Sequence, residues 1–145
     1  MLKGLSMSHT SLPIRIFEPR STIQRICDLF SFAHKYLKEA ALNENHLERL
    51  KLTITFMISS IYMCCDQKKP FNPLLGETLQ GKFPDGTKIF CEHTSHHPPI
   101  TNFCVEDKDG LYSLTGYFEQ CGKMGANSFT SGLRGPCFLN FKDGH

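Results

Sequence analysis

Three observations predict an α+β fold for this 145-residue chain. Apolar residues recur at helical spacing between 23 and 41, an uncharged apolar run fills 52–65, and short strand-like pieces separated by turn signals occupy the remainder. Helices first and strands afterwards is the order of segregated α and β layers, not of alternating βαβ units.

The elements can be justified in order. Ser21-Thr22-Ile23-Gln24 has the form of a capping box and starts a helix. Ile23, Ile26, Cys27, Phe30 and Leu37 then lie on one apolar face, so the helix is expected to run to about 41. Asn43-Glu44-Asn45 breaks it, and a second helix is expected over 46–63. The uncharged stretch is shorter than the roughly 18–20 residues a bilayer span requires, which predicts a buried helix. Pro70 and Pro73 end helical structure. Strands over 79–83 and 87–92 flank Pro84-Asp85-Gly86, and strands over 100–106 and 111–118 flank Asp107-Lys108-Asp109-Gly110; both are hairpin signals. Two more strands are expected near 128–133 and 137–141.

Composition narrows the function classes. The net charge is +2 and the basic residues form no run, which argues against nucleic acid as a partner. Seven cysteines, at 27, 64, 65, 91, 104, 121 and 137, are odd in number and include no Cys-x-x-Cys, as expected of reduced thiols in the cytoplasm. The N-terminus lacks the apolar core of a secretory signal, so membrane contact is expected to be transient and peripheral. No nucleophile elbow, phosphate loop or metalloprotease helix motif occurs, and neither an enzyme nor a cofactor is expected.

Two segments carry the chemistry. Residues 92–99 read Glu92-His93-Thr94-Ser95-His96-His97-Pro98-Pro99. Protonated imidazoles donate to anions, and the prolines hold His97 out of a helix and end strand pairing. Side chains of neighbouring strand residues point to opposite faces, so His96 and His97 suit a phosphate better than a bidentate metal clamp. Upstream lies Lys68-Lys69-Pro70-Phe71-Asn72-Pro73-Leu74-Leu75-Gly76-Glu77.

Together these two segments resemble the signature pair of the oxysterol-binding-protein-related family of lipid-transfer proteins, over about 11–141. The family's usual octet has Gln where this chain has His93 and Val where it has Thr94; Ser-His-His-Pro-Pro is intact. The resemblance implies an N-terminal lid, two helices and an antiparallel β-meander, part of an incomplete barrel enclosing one lipid. On that analogy 1–20 is the lid segment and 21–145 is the N-terminal part of a ligand-binding domain truncated at its C-terminus. It also implies shuttling of phosphatidylinositol 4-phosphate and a sterol or phosphatidylserine between membranes. Lys69, His96 and His97 would then hold the headgroup phosphate, with Asn72 beside it.

Each residue has a plainer reading too: a solvated lysine, a turn asparagine, a pair of surface histidines before two prolines. Cys91, His93, His96 and His97 also crowd possible zinc ligands into seven residues, but no second ligand pair follows at finger-like spacing. A third possibility is an interaction fragment that transfers no lipid.

Overall fold

The computed structural model describes residues 13–62, 65, 68–124 and 129–144. A 3-10 turn at Ile14–Ile16 leads into β1 (Phe17–Ser21), followed by helices α1 (Thr22–Leu29), α2 (Ala33–Ala41) and α3 (His46–Tyr62). The strands are β2 (Lys69–Phe71), β3 (Thr78–Lys82), β4 (Lys88–His96), β5 (Pro99–Glu106), β6 (Tyr112–Met124), β7 (Phe129–Arg134) and β8 (Cys137–Phe141). β1 and β2 form a small parallel sheet. The other six strands form an antiparallel sheet of order β3-β4-β5-β6-β7, with β8 also pairing β6. That sheet does not close among the described residues. Segregated helices and a meander agree with the expected α+β class.

The first helix begins where the capping box places it, with the Ser21 N–H donating to Gln24 Oε1 at 2.9 Å. It does not run to 41 in one piece. Tight i→i+3 bonds at Phe30, Ser31 and Ala33 interrupt it, giving three helices instead of two. Sequence periodicity hides this break, because Ile26, Phe30, Ala33 and Leu37 keep spacings of four, three and four across it. All four are buried. Asn45 caps α3 by accepting from the Leu47 and Glu48 N–H groups.

The core lies between α1–α2 and one face of the large sheet. Ile23, Ile26, Phe30 and Leu37 pack there with Ile89, Cys91, Phe103, Val105, Tyr112 and Leu114. Phe30, Phe103 and Phe118 form an aromatic cluster, with centroid separations of 4.7, 4.9 and 6.4 Å. At Gly116 a side chain would collide with the Pro136 carbonyl oxygen and the Phe103 ring, so only glycine lets the 136–137 segment cross β6 so closely.

One expectation is corrected. The apolar run predicted as a buried helix lies largely in α3, where only Arg49 and Phe56 are buried. Leu47, Leu50, Ile54, Met57, Ile58 and Ile61 are exposed, Ile58 by 63%. The run carries no charge but interleaves Thr53, Thr55, Ser59 and Ser60 with its apolar residues, and its hydrophobicity does not say which face packs. No helix among the described residues is long and apolar enough to cross a membrane. Residues 1–12 of the expected lid lie outside the described residues; 13–20 form the 3-10 turn and most of β1.

Candidate functional site

The lysine segment is built on the small sheet. Register Phe17↔Lys69 sets the ammonium 4.9 Å above the Phe17 ring, which itself stacks on Phe71 at 4.8 Å. Lys69 Nζ donates to Asn72 Oδ1 at 3.2 Å and to the Pro70 carbonyl oxygen at 3.3 Å. Partial burial pushes the Lys69 ammonium below the ordinary lysine range. A nearby anion would restore it, so the site favours a negatively charged neighbour.

After Pro73 the chain turns, with the Leu74 N–H donating to Glu77 Oε2 and Gly76 at φ +79°, a left-handed conformation that favours glycine. Two bonds then join this segment to the histidine octet. The Gly76 N–H donates to the His93 carbonyl and the His93 N–H donates to the Glu77 carbonyl, both at 2.9 Å. Motifs separate in sequence are thus stitched backbone to backbone.

The octet ends β4 and turns into β5. His96 pairs with Pro99, so His97-Pro98 is the tip of a hairpin, with a cis peptide between them. The register shifts between His93 and Ser95. Strand alternation alone would send His96 and His97 to opposite faces; the turn instead brings their rings to 5.2 Å, edge on. Both are exposed.

His93, which the sequence marked only as a departure from the family octet and as one of four crowded possible zinc ligands, sits behind the exposed pair. It is 1% exposed, with Nδ1 3.1 Å from Thr101 Oγ1 and Nε2 3.2 Å from His96 Nδ1. The chain of contacts Thr101–His93–His96 orients the His96 ring through its Nδ1. Burial, then the neighbouring His96, holds His93 below the ordinary histidine range, with Glu77 opposing. It therefore supports His96 as a neutral ring. The signal was present in the alternation that puts Ile89, Cys91 and His93 on one buried face of β4.

The structure brings together Lys69 with Asn72, and His96 with His97, and joins the two pairs through the backbone seam. No direct hydrogen bond links Lys69 to either imidazole among the described residues. No group of three or more His, Cys, Asp or Glu side chains there is arranged to hold a metal, so the crowded zinc ligands of the sequence do not converge.

The family model for oxysterol-binding protein matches residues 1–145. The chain belongs to the oxysterol-binding protein family. Among relatives, oxysterol-binding protein 9 of Dictyostelium discoideum is 39% identical over 144 residues, covering 99% of this chain and 34% of its own length. Human oxysterol-binding protein-related protein 8 is 35% identical, covering 95% of this chain and 16% of its own length. Of solved structures, the Osh1 ORD domain in complex with ergosterol superposes with a TM-score of 0.86 at 32% identity, over 96% of this chain and 33% of that one. The Osh3 ORD of Saccharomyces cerevisiae in complex with PI(4)P gives 0.82 at 27% identity, over 95% and 37%. The chain thus spans about a third or less of the family members it matches.

Proposed function

We propose that this chain contributes to lipid binding and intermembrane lipid transfer, with Lys69, His96 and His97 holding the phosphate of a phosphoinositide headgroup and Asn72 orienting Lys69. The observation that carries the reading is the backbone seam between Gly76–Glu77 and His93, which ties the lysine segment to the strand that presents the histidines. The ligands of the family's solved domains, a sterol for Osh1 and PI(4)P for Osh3, support the same lipid classes here. Transport would be by shuttling, with no covalent step. The lipid's apolar part is driven out of water at about 25 cal/mol per Å² of buried surface, while charge-assisted hydrogen bonds select the headgroup. Membrane contact is brief and peripheral, because a carrier must leave the bilayer to turn over.

Titration of a fluorescent phosphoinositide against the native chain and the His96→Ala/His97→Ala variant tests the assignment. Each lost charge-assisted bond costs about 1.5–3 kcal/mol, so the pair should weaken affinity by roughly two to four decades. Sterol binding should persist in the variant. Unchanged phosphoinositide affinity would end the assignment.

A further inference from the structure

We propose that Cys27 and Cys91 are a redox modification site: in the presence of a peroxide they form a reversible disulfide that clamps α1 to β4. The two sulfurs are 64 residues apart in sequence yet 4.0 Å apart in space, and both thiols are free. A disulfide bond is about 2.05 Å long, so closure needs a sulfur displacement of about 2 Å, within reach of side-chain rotation on a helix and a strand already in contact.

The two thiols differ in the way a reactive and a resolving cysteine should. Cys27 is half-buried and Cys91 is buried. Contact with the Cys91 sulfur holds Cys27 below the ordinary cysteine range, against burial and the charge of Asp28, while the Cys27 thiol also reaches the Ile23 carbonyl oxygen at 3.4 Å. Arg20, 2.5 Å from Asp28, offsets that charge. The same contact, with burial, pushes Cys91 up. Cys27, the less buried of the two, is therefore the thiol that peroxide reaches and that attacks as its thiolate. Its sulfur bonds to one peroxide oxygen as the O–O bond breaks, giving a sulfenic acid and, after protonation, water. The Cys91 sulfur then attacks the Cys27 sulfur, the S–O bond breaks, and a second water leaves with the Cys91 proton. Two thiols and one peroxide become one disulfide and two waters. A dithiol reductant reverses the link by exchange.

The position of α1 gives the link a consequence. At its start, the Thr22 hydroxyl donates to the Phe71 carbonyl oxygen of β2 at 3.2 Å. One and a half turns on, Cys27 meets Cys91, two residues before His93 on the same face of β4. Cross-linking would fix α1 between the strand that carries Lys69 and the strand that carries His96. The disulfide itself stands or falls separately from the headgroup reading.

The test is hydrogen peroxide treatment of the native chain, alkylation of remaining thiols, and digestion with trypsin plus a Glu-specific protease. Cleavage after Glu92 separates Cys91 from Cys104, so the partner of Cys27 can be identified by mass spectrometry. The expected product is a Cys27–Cys91 peptide lighter than its parts by two hydrogens, with a Tm raised by several degrees and restored by dithiothreitol. Cys104→Ser should retain both effects and Cys27→Ser should lose both. Linkage through other cysteines, over-oxidation of Cys27 with Cys91 still alkylated, or a link without a rise in Tm would overturn the proposal. The readout on the native chain does not depend on any variant folding.

Discussion

At the scale of single residues, the exposed histidines rest on one that is almost wholly buried. His93 supports His96 from behind, and its neutrality depends on burial. The sign of its pH effect follows from linkage. The folded state resists protonating His93 while the unfolded chain protonates it near the ordinary value of about 6.5, so the unfolded state binds more protons as pH falls. The contribution of His93 to stability is full above that ordinary value and is lost as pH drops through the lowered folded one. Glutamine keeps a donor and an acceptor but cannot titrate. Denaturant unfolding from pH 4.5 to 8 should therefore show a smaller acid-side loss in His93→Gln than in the native chain. Equal slopes for the two would remove His93 as the source. Titrating groups that do not face His93 act in both proteins and cancel in the difference; His96 and Glu77, which do face it, are the ones to hold constant by adding a substitution at each to both proteins.

At the scale of elements, Phe30 ties the helices to the large sheet through its aromatic neighbours. Phe30 occupies the break between α1 and α2 and meets Phe103 and Phe118. Truncation to Ala leaves a cavity there that neither helix can fill without moving, so Phe30→Ala should cost about 3–5 kcal/mol. Chemical denaturation with an unchanged m-value measures it. A loss below about 1 kcal/mol would mean that the turn is not anchored by the cluster. The break also shows a limit of pattern reading. A 3-10 turn that preserves the apolar spacing is invisible to periodicity, because the same side chains face the core either way.

At the scale of the whole molecule, two features stand out among the described residues: a sheet that does not close and an α3 whose apolar stripe faces outward. Contiguous apolar surface on this scale favours association and loss from solution. An open sheet also gives a lipid's apolar part only one wall. We expect liposome-to-liposome transfer by this chain alone to be slower than by a chimera joining it to the remaining part of a relative's domain. Dye binding to exposed apolar surface should fall in the chimera as well. Equal transfer rates would show that the open sheet does not limit transport.

The sequence by itself determined the class of fold, the two hairpins and the segments that carry the chemistry. Those signals are local: a capping box, Gly86 and Gly110 at turns with positive φ, two prolines behind two histidines. It could not show β1, which pairs in parallel, through Phe17 and Ser21, with a strand some fifty positions away. Nor could it show that α3 turns its apolar side outward, since which face of an uncharged helix packs is decided by the elements it meets. The site was legible as residue types and not as an arrangement. Lys69 gained its place from pairing with Phe17, His97 from a turn that overrides strand alternation, and His93 from burial against Thr101. Each of these depends on partners distant in sequence or on a local bend, and only tertiary contacts decide where such partners meet.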